Sequence, residues 1–351
     1  MIKTRAALAR MKPYVPGKMG EGVKLNQNEN PLGAAPKALA AAQEALAGAF
    51  RYPDPTATAL RERLAGLWTL PADHFLVGNG SDEIFRLLAE AFLEEGDRTV
   101  IPATSFSYYR IVTELMGAEP VVVDLQAGTM DLPAMATAAK ESGAKLLFLC
   151  RPNNPTGGIF PIEAFERFMA EVPAETIVVL DEAYREFDPS DFPSEQLVPR
   201  YPNLIITRTF SKLHGLAALR LGYGVAQPAI WAPLLAIRDP FSINAVAAAA
   251  GIGALADEAH IEASIELVEE GRTFLYELCA ELGLTFERSA ANFVLIDVGR
   301  PATEIAAALE ERGVLVRPCA SFGLPNAIRV TVGRPAENEA FVRALRAILA
   351  V

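Results

Sequence analysis

Short apolar runs alternate with segments of helical spacing from about residue 36 to residue 209, and this rhythm constrains the fold more than any other feature. The runs HFLVG (74–78), TVIP (99–102), EPVVVDL (119–125), KLLFLC (145–150), TIVVLDE (176–182) and NLIITRT (203–209) read as strands. KLLFLC, TIVVLDE and NLIITRT are continuously apolar, which is expected of strands covered on both faces of a parallel sheet. Between and before them, 37–50, 59–68, 84–93, 108–117 and a segment around 131–142 read as helices. In the third of these, Ile84, Leu87, Leu88, Ala91 and Phe92 fall on one face, with Ser81 placed to cap it. Strand and helix in alternation over this length predict an α/β fold: a large domain with a mostly parallel central sheet flanked by helices. Beyond residue 245 the pattern changes to a long helical region up to 282. The stretch 285–298, a helix at 302–312, VLVRP, AIRVTVG and a final helix follow, predicting a smaller α+β domain. The first thirty residues, rich in Pro, Gly, Lys and Asn, read as an N-terminal arm. The expected division is 1–30 arm, 31–245 large domain and 246–351 small domain.

A chain of 351 residues, half of them apolar, is long enough for two cores. Its net charge of −11 argues against nucleic acid as a partner and against a polybasic membrane anchor. The longest apolar stretch, 243–256, is too short to span a bilayer. Cys150, Cys279 and Cys319 are odd in number and widely spaced, so neither a disulfide framework nor a zinc site is expected. His74, His214 and His260 share no metal-ligand spacing, and no metal is expected. The N-terminus shows no apolar leader, which suits a cytoplasmic protein.

Ligands of open parallel sheets gather at the carboxyl ends of the strands. Four strand ends here carry unusual loops: NGSDE (79–83), RPNNPTGG (151–158), DEAY (181–184) and RTFSKLHG (208–215). Asn79, Gly80 and Ser81 open a helix, whose free N–H groups form an anion cradle suited to phosphate. Thr209, Ser211 and Arg220 add hydroxyls and a guanidinium, Asp181 a carboxylate, Tyr184 a phenol and Asn154 an amide. Lys212 is a lone ammonium in a small and apolar segment, where desolvation favours a neutral, nucleophilic amine. Each feature alone has an ordinary explanation: NPTGG is a turn, NGSDE a helix cap, and a single lysine is usually a surface residue. Their co-occurrence on successive strand ends has none. A phosphate cradle, a carboxylate and a nucleophilic lysine together suit pyridoxal 5′-phosphate, held through Lys212, with Asp181 on its pyridine nitrogen. A nucleotide-binding reading is disfavoured, because neither G-x-x-x-x-G-K-[ST] nor a G-x-G-x-x-G after a strand occurs.

In sequence order KLNQNENPLG, RYPDP, GNGSDE, RPNNPTG, DEAYREF, TFSKLHGLAALRLGY, NFVL, GVLVRP and GLPNAIRVTVG resemble the fold-type I pyridoxal-phosphate aminotransferases (class I/II). The resemblance runs from about Tyr14 to the C-terminus. Its closer branch moves an amino group between L-histidinol phosphate and a 2-oxo acid, 2-oxoglutarate. Aromatic-amino-acid aminotransferases and a decarboxylase share the scaffold and stay open as alternatives. The resemblance implies catalytic roles for Lys212, Asp181 and Tyr184, with Asn154 and Tyr184 on the cofactor's 3′ oxygen. It implies Phe106 stacked on the ring, where the family often has tyrosine, and Ser81, Asp82, Thr209, Ser211 and Arg220 on the phosphate. It also implies a homodimer in which Tyr52 reaches the partner's phosphate, and Arg329, Arg317 and Tyr14 on the substrate.

Overall fold

The computed structural model describes residues 3–11 and 20–349. In chain order its strands are β1 (Val23–Leu25), β2 (Phe75–Gly78), β3 (Arg98–Pro102), β4 (Glu119–Val123), β5 (Leu125–Gln126), β6 (Thr129–Met130) and β7 (Leu146–Cys150). There follow β8 (Ile177–Asp181), β9 (Leu204–Thr209), β10 (Gly222–Val225), β11 (Thr285–Phe286), β12 (Phe293–Asp297), β13 (Val314–Pro318) and β14 (Ala327–Thr331). Seven of them form one sheet in the order β2-β10-β9-β8-β7-β3-β4. The pairs β3/β4, β3/β7, β7/β8 and β8/β9 are parallel. β10 runs antiparallel to both β9 and β2, so β2 points the same way as β9. The loops after β2, β7, β8 and β9 therefore open on one edge, as a mostly parallel sheet requires.

Burial follows position in the sheet. Every residue of β7 is buried, because helices cover both faces, whereas β4 at the sheet edge is half-exposed and carries Pro120, which needs no ladder partner there. Helices Ser81–Phe92, Tyr108–Leu115, Leu132–Ser142 and Ile162–Glu171 return the chain between parallel strands. One start differs from the sequence expectation. Ser81 is not the cap but the first helical residue, and Gly80 takes the cap position with φ 80°. The positive φ suits glycine here, and a Cβ would also fall 2.7 Å from Arg220 Nη2, which would have to move. Glu83 reaches back instead and accepts the Asn79 N–H at 2.6 Å.

A second sheet has the order β1-β13-β14-β12-β11 and packs on helices Glu258–Glu281 and Pro335–Leu349 through Phe293, Val294, Ile328, Val330, Phe341 and Leu345. Val23–Leu25, inside the stretch expected to be an arm, is a strand of this sheet, paired in parallel with β13, and Leu25 is buried in its core. Three residues are too few to show a period, so this strand leaves no sequence signal. Tyr184, Phe187 and Leu213, which follow β8 and β9, also bury in this second core. The strand ends of the large sheet are thus locked to the small one. Among the described residues, no helix is long and apolar enough to cross a membrane.

The loop after β7 is held by Arg151, which is fully buried. Its Nε donates to Phe160 O at 2.8 Å, Nη2 to Ser190 Oγ at 2.9 Å and Nη1 to Asp188 Oδ2, while the guanidinium stacks 3.9 Å from the Phe192 ring centroid. Removing one partner of a buried ion pair strands the other charge. Asp188→Ala is therefore expected to cost about 3–5 kcal/mol. Chemical denaturation checks this, and an unchanged midpoint would show that the pair does not anchor the loop.

Candidate active site

A cavity of about 630 Å³ opens at the carboxyl edge of the large sheet, between the two sheets. Ser81, Asp82, Phe106, Asn154, Asp181, Tyr184, Thr209, Ser211, Lys212, Arg220, Arg317 and Arg329 all line it. Tyr52 does not. It is 83% exposed on the surface and stacks on Phe241 with ring centroids 4.7 Å apart. Tyr14 lies outside the described residues.

Asp181 ends β8 in the middle of the sheet and is buried. Tyr109 donates its hydroxyl to Asp181 Oδ2 at 2.6 Å, and the Ala183 N–H and Thr207 hydroxyl reach Oδ1 at 3.1 and 3.4 Å. Tyr109 is itself fixed by stacking on Phe148 at 4.7 Å. All three partners are neutral. Burial raises the carboxyl pKa from 3.8 to about 6, a shift that the Tyr109 and Ala183 hydrogen bonds only partly offset.

Lys212 follows β9, the strand beside β8, and lines the same cavity. Its Nζ donates to Gln27 O at 3.0 Å and lies 5.9 Å from the Tyr184 ring centroid. Burial first, then the Arg329 guanidinium, lower its pKa from 10.5 to about 8, with Glu29 and Asp82 pulling the other way. Tyr184 is buried edge-on against Phe293 at 5.2 Å and accepts the Asn28 amide at 2.9 Å. Burial pushes its phenol well above the ordinary value.

At one end of the cavity helix Ser81–Phe92 starts without a side-chain cap, leaving backbone donors for an anion. Arg220, in the left-handed region at φ 53°, turns its guanidinium onto this start, where Nη2 meets Asp82 Oδ2 at 3.3 Å. Thr209 donates to Ser211 Oγ at 2.9 Å beside them. Gly222 is required by proximity: a Cβ there would sit 2.5 Å from the Ser81 nitrogen. At the other end Arg329 is buried on β14, directly across from Arg317 on β13. Arg329 Nη1 donates to Asn154 Oδ1, and Nη2 to Asn26 O at 2.9 Å.

Several lining residues are not assigned a place in the site by the sequence. Asn26, Gln27, Asn28 and Glu29 enter from the segment after β1, Cys150 ends β7 beside Asp181, and Ser321 and Phe322 close the small-sheet side. The polar run NQNEN was visible, but its place over Lys212 depends on contacts some 180 residues apart. Tyr109 was hidden as one aromatic among the apolar positions of its helix.

The groups present fit pyridoxal phosphate: an uncapped helix start with Arg220 for the phosphate, a buried carboxylate without a cationic partner among the described residues for the pyridine nitrogen, and on the same cavity an amine whose pKa burial lowers to about 8. The chain belongs to the class I and II aminotransferases; the model of that family, aminotransferase class I and II, matches residues 20–345. It is 58% identical to a histidinol-phosphate aminotransferase of Symbiobacterium thermophilum over 99% of both chains. It is 43% identical to histidinol-phosphate aminotransferase 2 of Pseudomonas fluorescens over 97% of this chain and 96% of that one. Among solved structures, the histidinol-phosphate aminotransferase of Sinorhizobium meliloti in complex with pyridoxal-5′-phosphate superimposes with a TM-score of 0.92. The match covers 100% of this chain and 98% of that one at 27% identity.

Lys212 is half neutral near pH 8 and loses its proton as pH rises through that value. In the cofactor-free protein, trapping of an aldehyde at Lys212 by borohydride should therefore be half-maximal near pH 8. Mass mapping of the labelled peptide across pH checks this; a midpoint near 10.5 would mean that burial and Arg329 do not act on the amine.

Proposed function

We propose that the protein transfers the amino group of L-histidinol phosphate to 2-oxoglutarate, giving imidazole acetol phosphate and glutamate, a step of histidine biosynthesis. The observation that carries this reading is the pair of cationic ends on one cavity, Arg220 at the helix start and Arg317 with Arg329 on the second sheet. One end suits the cofactor's phosphate. The other suits the anionic group of each substrate in turn, the phosphate of the donor or a carboxylate of the acceptor, through the planar fork of arginine. The relatives' names support the same choice of donor.

Bound pyridoxal phosphate supplies an electron sink for the charge left on the substrate carbon when its proton departs. In this reading Lys212 Nζ would hold the cofactor and would serve as the base and acid that moves the proton at the donor's carbon. Its lowered pKa keeps a neutral amine available for that work. Asp181 holds the proton of the pyridine nitrogen, and the neutral partners around it leave its charge directed at the cavity. Asn154 and Tyr184 orient the 3′ oxygen, Phe106 covers the ring face, and the backbone of Ser81 and Asp82 with Thr209, Ser211 and Arg220 holds the phosphate. The exposed Phe50, Tyr52 and Phe241 support a homodimer in which a second copy covers this patch and Tyr52 reaches its site. Tyr14 is assigned to the substrate phosphate by resemblance. The two sheets with their helices are taken as large and small domains, with helix Ala245–Leu255 on the large side, since Ala247, Ala250 and Ala254 bury in the large-sheet core rather than beyond a boundary at 245. Three free cysteines suit the reducing cytoplasm.

With 2-oxoglutarate as acceptor, kcat/KM for histidinol phosphate is expected to exceed that for phenylalanine, tyrosine, aspartate and phosphothreonine by about 100-fold or more. Equal turnover of phenylalanine would make the enzyme an aromatic aminotransferase, and carbon dioxide from phosphothreonine without acceptor a decarboxylase. Lys212→Ala should lower kcat by about 10²–10⁴ or more while leaving the circular dichroism unchanged. Sedimentation should give a dimer, and Tyr52→Ala should weaken retention of pyridoxal phosphate without dissociating it; full retention would remove Tyr52 from the site.

A further inference from the structure

Three consecutive residues address three different groups of the cavity. Asn26 O accepts Arg329 Nη2, Gln27 O accepts Lys212 Nζ, and Asn28 Nδ2 donates to the Tyr184 hydroxyl oxygen at 2.9 Å. Asn28 is 1% exposed and lies in the left-handed region at φ 57°, which asparagine tolerates better than most residues. It is clamped on every side. Its N–H donates to Thr331 Oγ1 at 2.9 Å, the Thr331 hydroxyl donates to Asn28 Oδ1 at 3.1 Å, and Asn292 Nδ2 donates to Asn28 O at 3.0 Å.

The amide is oriented with Oδ1 on the Thr331 hydroxyl, which donates to it, and with Nδ2 on the Tyr184 oxygen, so Asn28 is the donor of that pair. A phenol has one proton. When its oxygen accepts from Asn28, that proton is free to be donated elsewhere. The ring packs edge-on against Phe293, and Tyr184 lines the cavity shared with Lys212.

We propose that Asn28 is a positioning residue for the reaction: by occupying the Tyr184 oxygen with its own N–H, it fixes the phenol as a hydrogen-bond donor into the cavity. The inference rests on the reading, given above, that Tyr184 faces the cofactor's 3′ oxygen. A donor at that oxygen favours its ionised form, so losing the donor should make the bound cofactor titrate at higher pH.

The test is a pH titration of the visible absorption of the pyridoxal-phosphate-loaded protein. It compares the unaltered chain with Tyr184→Phe, Asn28→Gly and the double variant. Glycine keeps the left-handed backbone and deletes only the amide. Tyr184→Phe is expected to raise the midpoint by about one unit, as one hydrogen bond to a charged oxygen requires. Asn28→Gly is expected to raise it in the same direction by a smaller amount, and to add nothing in the Tyr184→Phe background. Should Asn28→Gly fail to fold, Asn28→Ser, too short to reach the phenol, carries the same comparison. A shift with Tyr184→Phe but none with Asn28→Gly overturns the role of Asn28 and leaves Tyr184 in place. Additive shifts overturn it too, since Asn28 would then act by another route. No shift with Tyr184→Phe overturns the underlying reading of Tyr184, and the proposal with it.

Discussion

A buried carboxylate with only neutral partners among the described residues is the constraint around which this protein is arranged. Asp181 sits at the end of the central strand β8, flanked by Cys150 on β7 and Thr207 on β9. Keeping a carboxylate ionised in that position costs several kcal/mol, and hydrogen bonds from one phenol, one hydroxyl and one backbone N–H only partly offset it. The imbalance points a negative charge at the cavity. Lys212, displaced in the opposite sense by burial and by Arg329, faces the same space. Two titratable groups pushed toward each other from opposite ends of the scale mark a site built for chemistry rather than for stability.

The second constraint is the seam between the two sheets. The segment after β1 crosses it, placing the carbonyls of residues 26 and 27 and the amide of residue 28 on Arg329, Lys212 and Tyr184. Asn30 continues the seam, donating to Leu213 O at 2.6 Å and to Ser264 Oγ at 2.9 Å. Tyr184 and Leu213, next to the functional groups, are members of the small-sheet core. Arg329 and Lys212 are therefore referred to the same frame.

Much of this was legible in the sequence, for identifiable reasons. The buried strands β7, β8 and β9 are continuously apolar and end in polar loops, so both the parallel sheet and the gathering of Asn154, Asp181, Tyr184 and Lys212 could be read. What could not be read depends on distant partners. The strand β1 is too short for a period, and Asn28 finds Tyr184 across 156 residues. Tyr109 meets Asp181 across 72. The cap at Gly80 escaped because Ser81 is the better capping residue taken locally, whereas the backbone takes the left-handed φ of 80° at the glycine before it. Tyr52 does not line the cavity of its own chain; it is exposed and stacked on Phe241.

The charge directed from Asp181 is tested most directly on the pyridine nitrogen itself. Protein loaded with pyridoxal phosphate carrying nitrogen-15 in the ring can be followed by NMR near pH 8. The expected result is a protonated ring nitrogen in the unaltered protein and an unprotonated one in Asp181→Asn. An unprotonated nitrogen in the unaltered protein would contradict the account, because the carboxylate would then be serving some other partner.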